Sequence, residues 1–373
     1  MNILVLNYEY PPLGGGAAPV SRDISRKLVE MGHRVVVVTM GYKGLPSYET
    51  DEGVEVYRVK CLRKKTFSCM PWEQFTYLIS TRFFMRKHKE LQKFDVCHTH
   101  FVIPTAEASR WAYKKYHIPY VITAHGSDVE GYNSKKYMKI MHKLLRPAWK
   151  SIVRDAYRVV APSYFLDGLM KKAYDVEDKY VMIPNGIELK SYRKLFDGSQ
   201  EKKKKILLMG RLQKYKNVQT TIKALSMIDL KGWTVDVLGD GPYREELEAL
   251  TKELGLSEKV TFHGWVENKS PEQLQFLREA SIYVTASLFE NCPMAVIETA
   301  SAGCYMLVSD ISAHRQILEA DEHFFEPENA TQLAEKLEKQ MSLGAKAYSY
   351  DFARYDWANV MPQYERLLKE AIG

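Results

Sequence analysis

The run Ile282-Tyr283-Val284-Thr285-Ala286-Ser287-Leu288-Phe289-Glu290-Asn291-Cys292-Pro293-Met294-Ala295-Val296-Ile297-Glu298 begins apolar, turns polar and acidic, and becomes apolar again. Ile282 to Val284 suits a short buried strand, Ser287 to Asn291 a polar turn, and Pro293 the start of an apolar helix. A strand, a turn and a helix N-terminus together present backbone N–H groups and a positive helix end to an anion. Glu290 falls in the turn, and Glu298 about two helical turns later at ~1.5 Å rise per residue. Carboxylates repel phosphate, so these two suit hydrogen bonds from hydroxyls of a sugar or ribose attached to it. Spacing alone is not diagnostic, because Glu245 and Glu253 repeat it on a stretch that reads as an exposed helix.

Working outward, the first half opens with an apolar strand, Ile3 to Asn7, and then Gly14-Gly15-Gly16. An amphipathic helix from Ala17 to Met31 follows, ended by Gly32, and a second strand from His33 to Thr39. This is a β–loop–α–β unit with parallel pairing. Its glycines let N–H groups approach an anion, but they match neither G-x-G-x-x-G nor G-x-x-x-x-G-K-[ST]. Strand-like runs recur at 54–59, 96–98, 120–123, 158–161 and 180–183, which predicts a doubly wound α/β domain with ligands at the C-terminal strand ends. Two of those ends are polar: Ala124-His125-Gly126-Ser127-Asp128 and Pro184-Asn185-Gly186-Ile187. His125, with Asp128 three residues on, is a candidate site residue. Cys97-His98-Thr99-His100 is not read as a metal site, because adjacent strand residues point to opposite faces.

In the second half, Asp197-Gly198-Ser199-Gln200 and the lysines 202–205 read as a linker before a strand at 206–209. The strand leads into Gly210-Arg211-Leu212-Gln213-Lys214-Tyr215-Lys216-Asn217 and a helix. Arg211 offers a planar fork and Lys216 a point charge, a combination suited to a diphosphate. Further strands are expected at 233–238, 260–265 and 305–309, with Gly239-Asp240-Gly241-Pro242 after the first and a Gly264-Trp265 turn able to flank a nucleobase. Helices are expected at 329–341 and 357–371.

The composition is 46% hydrophobic and 27% charged over 373 residues, that of an ordinary globular chain long enough for two domains. Five cysteines without a C-x-x-C pair argue for reduced thiols and a cytoplasmic location. No apolar run approaches the ~18 residues of a membrane span, and the N-terminus reads as a strand instead of a signal peptide. Residues 1–184 hold 29 lysines and arginines against 18 acids, and the remainder 24 against 28, so a basic half precedes a mildly acidic one. Between Arg63 and Leu91, cations alternate with Phe67, Trp72, Phe75, Tyr77, Phe83 and Phe84. The preferred reading is a core helix with a solvated basic face; the alternative is an interfacial helix on an anionic membrane, peripheral to its inner face. No nucleic-acid motif accompanies it, and nucleic acid is not an expected partner.

Taken together and in order, Gly14-Gly15-Gly16, His125-Gly126-Ser127-Asp128, Pro184-Asn185-Gly186-Ile187, Gly210-Arg211-Leu212 with Lys216-Asn217, Gly239-Asp240-Gly241-Pro242 and Phe289-Glu290…Ile297-Glu298 resemble family 4 of the retaining, nucleotide-sugar-dependent glycosyltransferases. The resemblance implies the α/β GT-B fold, two doubly wound Rossmann-like domains facing each other across a cleft. The expected divisions are 1–190, 191–355 and a final helix, 356–373, crossing back to the first domain. It implies that Arg211 and Lys216 bind the donor diphosphate and that Glu298 holds the ribose. Glu290, with Asn291, Pro293, Met294 and Ala295, would hold the donor sugar and its phosphate. Gly15, Gly16 and Asn185 join the donor-binding set, and Gly264 with Trp265 contacts the base. His125 would face the anomeric carbon and Asp128 the acceptor.

The implied partners are a nucleotide sugar and a glycan or lipid-linked acceptor. No cofactor is expected and no metal site, since the sequence contains no Asp-x-Asp. Two alternatives stay open: an epimerase or phosphorylase of the same fold, and a non-catalytic protein that binds sugar nucleotides.

Overall fold

A computed structural model describes residues 1–132, 136–174, 176–195 and 202–373. The expected linker at 197–200 lies outside the described residues. The chain divides into two compact units, Met1–Gly186 with Trp357–Gly373, and Ile187–Asp356. The first unit thus ends slightly ahead of the boundary expected at 190.

The first unit begins with β1 (Asn2–Leu6), α1 (Ala17–Glu30), β2 (Arg34–Met40), β3 (Tyr48–Asp51) and β4 (Val54–Val59). It continues through α2 (Pro71–Lys87), β5 (Val96–His100), α3 (Thr105–Tyr116), β6 (Tyr120–Thr123), α4 (Lys136–Asp155), β7 (Val159–Ala161), α5 (Tyr164–Tyr174) and β8 (Tyr180–Met182). The sheet order is β3-β4-β2-β1-β5-β6-β7-β8. All pairs are parallel except β3 with β4. The antiparallel edge strand β3 was not expected; its Tyr-Glu-Thr-Asp sequence carries no apolar run to signal it.

The second unit comprises α6 (Leu189–Arg193), β9 (Lys203–Met209), α7 (Val218–Leu225), β10 (Thr234–Leu238), α8 (Arg244–Glu253), β11 (Val260–Gly264), α9 (Pro271–Glu279) and β12 (Ala280–Thr285). It is completed by α10 (Met294–Ser301), β13 (Tyr305–Ser309), α11 (Ser312–Arg315), β14 (Phe324–Phe325) and α12 (Ala330–Ser342). Its sheet, β11-β10-β9-β12-β13-β14, is wholly parallel. The last helix, α13 (Trp357–Ile372), belongs to the first unit.

Each sheet buries both faces, as parallel sheets must. Alternation along β1 sends Leu4 and Leu6 into one core and Ile3 and Val5 into the other. The second of these is closed by α13 through Trp357, Val360, Met361, Tyr364 and Leu368. A Cβ at Gly186 would lie 2.2 Å from the Trp357 ring, so this glycine is required by packing. Where the chain enters and leaves the second unit, Ile187 and Asp356 form a parallel bridge.

Three expectations change. The lysine run is not all linker: β9 starts at Lys203, where Lys203 and Lys205 pair with Glu279. Lys202 is buried, with Nζ donating to the carbonyls of Leu277 (2.9 Å), in the last turn of α9, and Ala302 (2.7 Å), just past the end of α10. Pro293 caps α10 with a non-helical ψ of 84° and does not enter it. The aromatic stretch is not a core helix with a merely basic outer face. Tyr77, Thr81 and Met85 of α2 are buried, but Phe67, Trp72, Phe75, Ile79 and Phe83 are exposed.

Candidate active site

In the second unit the predicted residues gather at the C-terminal ends of β9 to β12. The loop after β9 is pinned by backbone bonds to the loop after β10: Gly210 N–H to Leu238 (2.9 Å) and Leu212 N–H to Asp240 (2.9 Å). A Cβ at Gly239 would fall 1.9 Å from the Gly210 carbonyl oxygen, and one at Gly241 2.2 Å from that of Leu212. These glycines therefore serve loop-to-loop approach and hold Arg211, which is exposed, in place.

A second bond, Leu288 N–H to the Tyr215 carbonyl (2.9 Å), ties the β9 loop to the loop after β12. Here the Lys216 ammonium donates to Glu290 Oε1. The same oxygen accepts from the Ser287 hydroxyl (2.8 Å), which leaves Ser287 to accept from Thr285 (3.1 Å). Ser309 in turn donates to the Ser287 carbonyl (2.5 Å), and buried His314 donates from Nδ1 to the Ser309 carbonyl (2.7 Å). Burial holds the His314 pKa below its ordinary value despite the nearby Glu290 carboxylate, so its imidazole is neutral. The Lys216–Glu290 pair is thus supported from β13 through a chain of small polar groups.

Arg211, Lys216, Thr285 and Ala286 also line a cavity of about 20 Å³, room for roughly one water. A cavity of this size cannot enclose anything larger than a water, so a ligand would have to lie over the loop cluster. Glu298 is buried in α10, Pro293 is buried at its cap, and Asn291, Met294 and Ala295 are half-buried around its N-terminus. Gly264, with φ +76°, ends β11 and accepts from Gly239 N–H (2.7 Å), and Trp265 beside it is 71% exposed. The decoy pair, Glu245 and Glu253, lies on exposed positions of α8.

In the first unit His125 and Asp128 share the loop after β6, but Asp128 does not face outward. Its Oδ1 accepts from the N–H groups of His125 (3.0 Å) and Gly126 (2.9 Å), and its Oδ2 from Val102 (2.7 Å). Burial raises its pKa, and those N–H groups oppose the rise. It holds the backbone of His125 and is 4% exposed.

His125 Nε2 lies 2.9 Å from His100 Nδ1. His98 and His100 alternate with Thr99, so they share one face of β5, with ring centroids 4.5 Å apart. Burial depresses all three: His98 to about 4, His100 well below its ordinary value, and His125 to about 3, helped by the neighbouring imidazoles. All three are neutral near pH 7.

The triple glycine follows β1. Gly15 N–H already donates to Glu9 Oε2 (3.2 Å), and a Cβ at Gly15 or Gly16 would meet nothing within 4 Å. Only Gly14, at φ +107° and packed on Glu9, needs to be glycine. Asn185 follows β8, its Oδ1 buried and unpartnered among the described residues.

Sequence reasoning missed Glu9, His100, Ser287 and His314. His100 was legible from its two-residue spacing to His98, whereas Glu9, Ser287 and His314 act through contacts between distant loops and carried no local signal.

Two α/β units, each built on a largely parallel sheet with polar groups at its C-terminal strand ends, match the architecture of the GT-B class of glycosyltransferase. The family model described as Glycosyltransferase Family 4 matches residues 14–191, and that of Glycosyl transferases group 1 matches residues 194–351. The chain belongs to this glycosyltransferase family. An uncharacterized glycosyltransferase of Methanocaldococcus jannaschii is 26% identical, covering 100% of this chain and 99% of the relative. The alpha-monoglucosyldiacylglycerol synthase of Streptococcus pneumoniae is 24% identical over 81% of this chain and 70% of its own length. The solved structure of Anabaena HepE in complex with UDP and glucose superposes with a TM-score of 0.74 at 16% identity, covering 99% of each chain.

Proposed function

We propose that this protein transfers a sugar from a nucleotide-diphosphate sugar to the hydroxyl of a lipid-linked or glycan acceptor in cell-envelope synthesis, with retention and without a metal. The observation that carries the reading is the Lys216–Glu290 pair beside Arg211, where cations for a diphosphate and a carboxylate for sugar hydroxyls share one loop cluster. Breaking the sugar–phosphate bond puts negative charge on the departing diphosphate and positive charge on the sugar. Arg211, Lys216 and the N-terminus of α10 stabilise the first, and one well-placed donor contributes ~3–4 kcal/mol. Glu298 takes the ribose, and Trp265 flanks the base.

His125, kept neutral by burial, can hydrogen-bond a sugar hydroxyl without repelling a cationic anomeric carbon. Asp128 is a positioning residue for it. No side chain is assigned as covalent nucleophile; the acceptor attacks from the face the phosphate leaves, and that phosphate takes the acceptor proton. The names of two similar proteins support donor and acceptor class, one a structure with UDP and glucose, the other a glucosyldiacylglycerol synthase.

No helix among the described residues is long and apolar enough to cross a membrane. The exposed aromatic face of α2, flanked by Lys64, Lys65, Arg86 and Lys87, supports peripheral association of a cytoplasmic enzyme with an anionic surface. Flotation with phosphatidylglycerol vesicles at low salt tests this, and absence of binding would end it. For the reaction, combined Arg211→Ala and Lys216→Ala should abolish transfer while the melting profile stays intact; full activity would sink the assignment. Activity is expected to survive treatment with EDTA. Incubation with labelled nucleotide sugar and no acceptor separates an epimerase, which changes the sugar without transferring it.

A further inference from the structure

The first unit contains a cavity of about 570 Å³ between α2 and α4, within the ~300–1,000 Å³ range of small-molecule sites. Its lining is of two kinds. Glu9, Ser127 and Asp128, from the loops after β1 and β6, form a polar part next to His125. The helices supply the mainly apolar part, with Gln74, Glu107 and His142 the polar side chains among their contribution. Pro71, Gln74, Phe75 and Leu78 stand at the spacing of one face of α2, and Met138, Met141 and Leu145 at that of one face of α4. Flexible methionines suit a ligand of variable shape.

The cavity is continuous with solvent-facing apolar surface. Phe75 lines it and is nevertheless 61% exposed, and Trp72, Ile79 and Phe83 extend the same side of α2. Exposed Lys64, Lys65, Arg86, Lys87, Lys139 and Lys143 surround that surface, the charge complement of an anionic bilayer. Most of that lining is apolar, and a hydrocarbon chain removes such surface from water more fully than a hydroxyl-rich glycan does.

We propose that this cavity takes a hydrocarbon chain of an amphiphilic acceptor, with the polar head of that acceptor at the loop carrying Ser127 and Asp128. This rests on the glycosyltransferase reading and names its acceptor class: a lipid, whether acyl or isoprenoid.

The test is titration of the full chain with cis-parinaric acid, whose fluorescence rises when the polyene leaves water. Saturable binding is expected, displaced by diacylglycerol in one arm or polyprenyl phosphate in the other, which identifies the chain type. Leu78→Trp and Leu145→Trp, made separately, should each weaken binding roughly tenfold or more by filling the cavity. Circular dichroism and thermal unfolding confirm which variants are folded, so loss of one leaves the other decisive. No binding, binding that neither folded variant weakens, or displacement by neither lipid would overturn the proposal. The readout requires no sugar transfer. A chain that binds the probe but never transfers sugar would refute the proposed function and leave the cavity; one that transfers to lipids yet binds no probe would do the reverse.

Discussion

His100 Nδ1 and His125 Nε2 stand 2.9 Å apart, and the burial of His100 Nε2 argues that His100 donates the proton between them. His100 Nε2 is buried without a partner among the described residues. Were the proton on His125, His100 would carry its own hydrogen on Nε2, an orphaned buried donor, which is the costlier state. With His100 as donor, His125 keeps its proton on Nδ1. A strand residue thus sets the tautomer of a loop residue.

His100→Leu should therefore lower kcat/KM by roughly ten- to a hundredfold, the cost of losing one buried partner. His100→Asn, whose amide can replace the Nδ1 donor, should recover most of the loss. Equal damage from both substitutions would reduce His100 to a packing residue.

The same cluster makes stability depend on acid. The folded pKa values of about 4 for His98 and about 3 for His125 lie below the ordinary value of ~6.5, so the unfolded chain binds protons first. Stability from this source is complete above pH ~6.5 and is lost as pH falls towards 4 and then 3. Melting temperature measured across that window should decline, and less steeply in His98→Asn. A flat profile would contradict the assigned burial.

Glu290 holds Lys216 before any donor arrives. A diphosphate must share that ammonium with a carboxylate. Glu290→Gln should consequently tighten binding of a nucleoside diphosphate severalfold in calorimetry while lowering turnover by about a hundredfold. Weaker binding in this variant would mean that the carboxylate orients the lysine and does not compete for it.

The glycines separate into two groups. Gly239→Ala and Gly241→Ala place a Cβ against the carbonyls of Gly210 and Leu212 and should cost more than about 2 kcal/mol in urea unfolding. Gly15→Ala and Gly16→Ala meet open space and should stay within about 0.5 kcal/mol of the parent. Similar losses in both groups would refute the distinction.

Lys202 offers a stability test remote from the site. Lys202→Met keeps the length of the side chain but strands the carbonyls of Leu277 and Ala302, an expected loss of about 1–3 kcal/mol. An unchanged unfolding midpoint would show that water replaces the ammonium.

What the sequence determined by itself was the succession of strands and helices and the candidates at strand ends. Apolar runs such as Ile206 to Met209 declare a parallel strand buried on both faces, and a polar loop after such a run marks a ligand-binding edge. These signals are local, written within a few residues. Tertiary structure alone decided what those residues face. Asp128 turned inward because Val102, far along the chain, brought it an N–H; Gly15 lost its free N–H to Glu9; and Lys216 met Glu290 through a bond between two loops. The aromatic face of α2 shows the same limit, because periodicity can place Phe75 and Tyr77 on different sides of a helix but cannot say which side the core will cover. Contacts between distant segments depend on how the sheets bring their loops together, and no spacing within one segment encodes that.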